Sequence, residues 1–203
     1  MKTIYRATVA STLLVATACG ATTSATTVRD RQGPEIDSNI QLTPGELGHR
    51  FLKIIESTDN FDQLTATSIR NAVGTQFDSA ADDASGFYTL MMPSGDWQYS
   101  VTYNLDNSRP QYSNVAIELI RSKETSEINS PPCGLDLSTY QSSLSAMGFK
   151  AEPISHNEIG WAVALNYIRN NVRVQIIPQH LASTENQSAR DCVKALSIHK
   201  FGG

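Results

Sequence analysis

The sequence has few cysteines, no long hydrophobic segment and no concentration of basic side chains. Basic stretches such as residues 169–173 and 194–200 hold only two lysine or arginine residues each, whereas a phosphate-binding surface needs a cluster of them. The sequence also lacks a glycine-rich phosphate loop, a G-x-S-x-G elbow and an H-E-x-x-H helix. These absences leave a nucleic-acid role without support and remove the strongest local signals of an enzyme.

The first 18 residues have the pattern of an export signal. Lys2 and Arg6 give a basic start, and the apolar residues 7–18 form a stretch too short to cross a bilayer as a helix. Small side chains then precede Cys19, as a signal peptidase requires. This order resembles a bacterial lipoprotein signal, which implies that Cys19 becomes the lipidated first residue of the mature chain.

The residues around Cys19 indicate where the protein acts. In the alternative to lipidation, plain secretion, an ordinary signal peptidase cuts after Ala18 or Ala21. The residue after Cys19 is Gly20 and not an aspartate, and this choice resembles the signal for sorting to the outer membrane. We therefore expect the mature chain on the periplasmic side of a bacterial cell envelope, held at the outer membrane through the lipid alone. Loss of the signal leaves 14 basic and 20 acidic side chains, so the mature chain is acidic.

Composition divides the remaining chain into two polar segments and two ordered parts. The Thr-, Ser- and Ala-rich segment after the signal has too few apolar residues to offset the entropy of ordering. A second polar segment, SKETSEINSPP, is closed by two prolines and separates the ordered parts. We predict a signal peptide (1–18), a flexible tether (19–41), a first half (42–121), a linker (122–132) and a second half (133–203).

Local signals predict helices and antiparallel strands in both halves. A capping box of Thr43 and Glu46 is expected to open the first helix, Gly74 to end the second, and Asp136 to begin the third. Asn170 and Asn171 fit a tight hairpin turn. The predicted strands cover residues 86–92, 97–105, 112–121, 149–154, 161–168, 172–178 and 192–201.

The two halves share sequence patterns. Residues 97–107 and 161–171 both follow W-x-h-x-h-x-Y-x-x-x-N, where h is apolar, and residues 65–74 match residues 139–148 without gaps. Such a repeat predicts an α+β fold of two related helix-plus-antiparallel-sheet halves packed side by side, each short of core alone. Coincidence is the alternative, because tryptophan-bearing strands and glycine caps are common.

The residue spacing of the second predicted helix resembles that of a known protein family. The order T-x-x-x-I-x-x-x-V-G-T in residues 65–75, followed by an aromatic hairpin and a third strand, resembles the two-helix, three-strand module of envelope-assembly lipoproteins of the BamE/SmpA type. The likeness covers residues 43–121, and tandem copies of a similar unit build the β-lactamase inhibitory proteins. Thr75 stands where these modules often place a proline. The resemblance implies a protein-binding role and carries over no catalytic residue.

Cys133 and Cys192 are the cysteines left for the folded part. An exported chain meets an oxidising compartment, so this even number predicts one disulfide joining the two ends of the second half. Two buried free thiols are the alternative. A metal site is less favoured, because no second Cys or His lies at ligand spacing from either cysteine.

Two groups of side chains are candidates for contact with a partner. An acidic loop in the first half fits either a solvated surface or electrostatic steering of a basic partner, and it lacks the D-x-D-x-D-G spacing of a calcium loop. The aromatic residues of the sheet fit either the core or an interface. The candidates are Asp78, Asp82, Asp83, Trp97, Tyr99, Trp161 and Tyr167.

The sequence therefore favours binding over chemistry. We expect no catalytic residue, cofactor or metal, and a partner that is another envelope or secreted protein. The leading hypothesis is an immunity protein or inhibitor of an enzyme that attacks the cell envelope, and the rival is an assembly subunit of an outer-membrane complex. A hydrolase would need His156, Glu158 and Asp136 in one pocket, although the polar turn that holds His156 and Glu158 favours a solvated loop.

Overall fold

The computed structural model describes residues 42–122, 131–160, 162–179 and 191–202. Three α-helices lie among them: α1 (Pro44–Ser57), α2 (Ala66–Val73) and α3 (Leu137–Ala146). None of the described helices is long and apolar enough to cross a membrane. The strands are β1 (Asp78–Ser79), β2 (Ser85–Met91), β3 (Trp97–Asn104), β4 (Asn114–Arg121), β5 (Lys150–Ala151), β6 (Ser155–His156), β7 (Ala162–Arg169), β8 (Val172–Gln179) and β9 (Cys192–Lys200).

The described strands form one antiparallel sheet. Their order is β1-β2-β3-β4-β9-β8-β7-β5, with β6 paired beside β7. The predicted α+β class is confirmed. The halves 42–121 and 133–203 share this sheet through the β4–β9 pair, and Ile40–Gly203 forms one compact unit.

The helix ends follow the local rules in most places. Thr65 and Ser68 form a reciprocal capping box on α2, Gly74 ends that helix with a left-handed φ of +69°, and the Asp136 side chain caps α3. The capping box predicted for α1 is only half formed. Thr43 accepts from the Glu46 N–H, but the Glu46 carboxylate turns to the Arg50 guanidinium at 2.8 Å.

One turn and one strand in the second half show where prediction from local sequence succeeds and where it fails. Asn170 has a φ of +54° in the β7–β8 hairpin, as expected of its turn. The strand predicted over residues 149–154 is confirmed only in the two-residue β5, and the two-residue β6 follows after residue 154. Pro153 lies between them, and its missing N–H cannot contribute to a strand ladder.

The core lies between the three helices and one face of the sheet. Val101, Ile117, Leu196, Ile176 and Leu165 face each other in register across five strands, and all are buried. Phe51 and Ile55 of α1, Ile69 of α2 and Leu144 of α3 belong to the same buried cluster. Side chains alternate between the two faces along each strand, so the remaining strand residues lie on the sheet face that points away from the helices.

The predicted cysteine pair is close enough to be bonded. The Cα atoms of Cys133 and Cys192 are 5.5 Å apart, a normal separation for a disulfide. Nearby, the Val193 N–H donates to the Leu135 carbonyl at 2.8 Å. The segment before α3 is thereby held beside the start of β9.

Candidate partner-binding surface

The sheet face opposite the helices, here called the open face, has an uncharged central row. Thr102, Ala116, Ser197, Gln175 and Asn166 form one row in register across β3, β4, β9, β8 and β7. All five side chains are exposed or half-buried. The central row of the open face therefore consists of small and neutral polar groups on neighbouring strands of the sheet.

One carboxylate lies in the middle of the open face. Glu118 of β4 is flanked by Ser100 on β3 and Ala195 on β9. Among the described residues Glu118 forms no ion pair. The Glu118 carboxylate is surrounded by neutral side chains, so its negative charge would attract a cationic group on a partner.

Two apolar side chains stand at the β2 end of the open face. Phe87 lies opposite Thr102 and is 49% exposed, and Met91 lies opposite Gln98 and is 51% exposed. Phenylalanine and methionine are enriched at protein interfaces relative to the rest of protein surfaces. Neither residue was among the sequence candidates, because apolar residues occupy both alternating positions of β2 and local patterning did not reveal which would be exposed.

A cleft of about 540 Å³ opens beside Phe87. Asp78 and Thr102 are among its lining residues, as are Gly86 and Tyr103. A Cβ atom at Gly86 would lie 2.7 Å from the Tyr103 ring, so this close approach requires glycine. The cleft combines an exposed aromatic ring with a carboxylate, which are two groups that attract a lysine or arginine side chain.

The three acidic candidates have different surroundings. Asp83 forms a two-pronged ion pair with Arg70 of α2, with N–O distances of 2.5 and 2.6 Å. The Arg70 guanidinium lowers the pKa of the Asp83 carboxyl, and the Tyr103 hydroxyl contributes in the same direction. Asp82 is exposed and its carboxylate accepts from the Ala84 N–H, while Asp78 is exposed on β1. Asp78 and Asp82 are therefore more accessible to a partner than Asp83.

The aromatic candidates lie mainly in the core. Tyr99 is fully buried and Tyr167 is 5% exposed, both on the helix side of the sheet, so neither can anchor a partner and the core interpretation holds for both. Trp97 is half-buried at the start of β3, with the Arg121 guanidinium 5.8 Å from its ring centroid. Trp161 lies outside the described residues. The alternating sequence of β3 separated its residues into two faces, but it did not show which of these faces the helices cover.

The hydrolase combination is not assembled. Asp136 is bridged to Cys192 beside β9, whereas His156 pairs beside β7, and β8 lies between those two strands. At about 4.8 Å per strand spacing, Asp136 and His156 are roughly 19 Å apart along the sheet. Glu158 is exposed in the turn after β6.

A different serine and histidine do meet on the open face. The Ser197 Oγ and His199 Nε2 atoms are 2.8 Å apart. Burial beside Arg173 lowers the pKa of His199, which favours the neutral imidazole. No carboxylate forms an ion pair with His199 among the described residues, so the pair lacks the orienting acid of a catalytic triad.

The described part of the chain contains no group of three or more His, Cys, Asp or Glu side chains arranged to hold a metal ion. Comparison with protein-family models, curated proteins and solved structures gives no match to this chain.

Proposed function

We propose that this chain is an exported, lipid-anchored protein-binding module of the bacterial envelope that acts as an immunity protein or inhibitor of an envelope-targeting enzyme. The observation that carries the proposal is the open face, with its neutral central row, the Glu118 carboxylate in the middle of that face and its apolar end at Phe87 and Met91.

The open face suits protein binding for physical reasons. The centre of a protein interface is depleted in charged residues, because each buried charge must be desolvated and then paired. The neutral row from Thr102 to Asn166 avoids most of that cost. Glu118 and Asp78 leave negative positions that would favour a basic partner surface. Strands also hold side chains more rigidly than loops do, which limits the entropy lost on binding.

The N-terminal sequence supports an envelope location. Residues 19–41, counted from Cys19 itself, are 23 residues that precede the first described residue. A flexible linker of that length has an end-to-end distance of about 25–30 Å. Such a tether would let a lipid-anchored domain meet a periplasmic enzyme close to the membrane surface.

A two-half origin is part of the proposal. The sheet order sets β1-β2-β3-β4 against β5-β7-β8-β9 around the central β4–β9 pair. In this arrangement β3 takes the position of β8, whereas the shared tryptophan pattern aligns β3 with β7. Element order thus supports two related halves better than that alignment does.

The alternative is an assembly subunit of an outer-membrane complex. It is favoured by the likeness of residues 43–121 to the BamE/SmpA type of module. An assembly subunit would remain bound to a membrane complex during ordinary growth. An immunity protein would instead protect cells against a particular secreted effector.

The inhibitor proposal is tested by deleting the protein and challenging the cells. We expect deletion to lower survival at least tenfold against one neighbouring secreted effector that attacks the wall or membrane, and expression of the full chain to restore survival. Unchanged resistance to all such effectors would contradict the inhibitor role. Co-purification with a resident membrane complex would then favour assembly.

Lipidation is tested separately with a Cys19→Ser variant. The wild-type chain should incorporate a fatty-acid label and fractionate with the outer membrane, and the variant should do neither. A wild-type chain without label would instead support plain secretion after Ala18 or Ala21.

A further inference from the structure

The outer edge of β2 has backbone groups that β3 does not use. The Met92 N–H donates to the Trp97 carbonyl, and the Ala84 carbonyl accepts from the Leu105 N–H. The backbone N–H and C=O groups of even-numbered β2 residues therefore bond to β3, and those of odd-numbered residues point away from β3. Thr89 and Met91 are odd-numbered, so their N–H and C=O groups face outward.

β1 covers only the beginning of that edge. Phe87 pairs with Asp78, and the Ser85 carbonyl accepts from the Ala80 N–H. No strand among the described residues pairs with Thr89 or Met91 on the outer side. The free edge, defined here as the outward groups of Thr89 and Met91, has room for a short added strand.

The free edge lacks the features that usually prevent strand addition. Natural edge strands are often protected by lysine, proline or a bulge. The β2 sequence SGFYTLM has no charged residue and no proline, and the β2–β3 ladder runs without a bulge. The exposed Phe87 and Met91 side chains lie next to the edge on the open face. An added strand would cover both of them while pairing with the backbone.

The charge around the free edge determines which strand fits. Residues 78–96 contain four aspartates and no lysine, arginine or histidine. A second copy of β2, added antiparallel, would bring two such acidic segments together and repel. A strand with basic residues beside its apolar residues would instead meet Asp78 and Asp82 with opposite charge.

We propose that the free edge of β2 binds an extended segment of the partner protein by strand addition, and that this segment carries lysine or arginine next to alternating apolar residues. The inference rests on the proposed protein-binding function and specifies its chemistry. Backbone pairing with Thr89 and Met91 supplies the docking geometry. Phe87, Met91 and the cleft beside Asp78 supply the preference for apolar and basic side chains.

The edge is tested with defined peptides and purified mature protein. The probe is an acetylated and amidated heptapeptide of alternating valine and threonine with lysine at each end, and its control carries glutamate at each end. At millimolar probe we expect the Thr89 and Met91 amides to exchange with solvent at least about tenfold more slowly, as amides do when they enter a ladder. We expect weak or no protection with the glutamate peptide.

Two variants at one position separate edge pairing from loss of folding. Thr89→Pro removes an outward N–H that β3 does not use, so it should abolish binding of the lysine peptide while the fold persists. Thr89→Val keeps the N–H and should bind like the wild type. Circular dichroism and thermal unfolding of both variants establish that they are folded.

Each outcome decides the inference. Protection by the lysine peptide that is lost in Thr89→Pro supports it. Absence of protection, equal protection by both peptides, or unchanged binding by a folded Thr89→Pro overturns it. Protection that rises with protein concentration in the absence of peptide would show that a second copy occupies the edge, which also overturns it. Since no natural partner is used, these results are independent of the deletion test of function.

Discussion

At the scale of residues, Gly48 is required by the packing of α1 against α3. A Cβ atom at Gly48 would collide with the Tyr140 hydroxyl oxygen and lie 2.5 Å from Leu135 Cδ2. We predict that Gly48→Ala lowers the free energy of unfolding by about 1–3 kcal/mol through overpacking. Gly45→Ala on the same helix meets nothing within 4 Å and should be neutral or stabilising by up to about 1 kcal/mol. Denaturant unfolding compares the two, and equal stabilities would contradict the packing described.

Asp83 combines a charge effect with a backbone effect. Its folded-state pKa is lowered by Arg70, so the ion pair contributes stability above the unfolded pKa of about 3.9 and loses it as pH falls further. Asp83→Asn should remove this part of the acid sensitivity below about pH 4. Asp83 also has a φ of +60°, which asparagine tolerates better than alanine does.

We therefore predict that Asp83→Ala is less stable than Asp83→Asn at neutral pH, measured by denaturant unfolding across a pH series. Asp78→Asn is the matched control, because Asp78 forms no ion pair among the described residues. An acid-unfolding curve of Asp83→Asn identical to that of the wild type would contradict the role of the ion pair.

Residue-level prediction succeeded where the cause is local. The Gly74 cap, the Asp136 cap and the Asn170 turn each depend on a few neighbouring residues, and each is confirmed. The surface role offered for Tyr99 and Tyr167 is wrong, because burial depends on where the helices pack. Alternation along a strand defines two faces but not which of them is covered.

At the scale of elements, Arg169 joins three of them. From β7 its guanidinium donates to the Met147 carbonyl at the end of α3 and to the Ile55 and Thr58 carbonyls at the end of α1. It also lies 4.5 Å from the Phe149 ring centroid. The positive charge thus satisfies carbonyl groups at two helix C-termini, where cations are favoured.

We predict that Arg169→Met lowers the free energy of unfolding by roughly 1.5–3 kcal/mol, because these carbonyls lose a charged donor. Arg169→Lys should be intermediate, since an ammonium group lacks the planar fork that reaches both helix ends. Arg109→Met, which removes an exposed arginine paired with Asp106, should change stability by less than about 0.5 kcal/mol. Chemical denaturation checks the order, and equal losses at 169 and 109 would contradict it.

Element-level prediction was accurate for long strands and poor for short ones. The long strands β3, β4, β8 and β9 all overlap predicted segments, because apolar residues recur along eight or nine positions in each of them. The two-residue β1 was not predicted, because its short, polar sequence carries no alternating signal. Pairing with β2 creates it.

At the scale of the whole molecule, the cysteine pair joins residues 59 apart in sequence. We predict that Cys133→Ser with Cys192→Ser lowers the free energy of unfolding by up to about 4 kcal/mol, because the reduced unfolded chain gains entropy. Reductant should destabilise the wild type and leave the double variant unchanged. A wild-type denaturation midpoint insensitive to reductant would contradict a bonded pair.

The sequence predicted the fold class but not the way the two halves join. The β4–β9 pair links residues about 80 positions apart, such as Ile117 and Leu196, and local patterning contains no information on such pairing. The open face follows from that pairing. Glu118 and the neutral row around it were missed because they become one surface only when the five strands are in register.

The central claim is that the open face binds another envelope protein, and affinity purification from envelope extract tests it most directly. The baits are the wild-type mature protein, Thr102→Arg on the open face opposite Phe87, and Ser142→Arg on the exposed side of α3. Mass spectrometry quantifies the captured proteins. We predict one stoichiometric partner with the wild type and with Ser142→Arg, and at least a tenfold loss with Thr102→Arg. A partner retained equally by all three baits, or no partner with the wild type, would contradict the account.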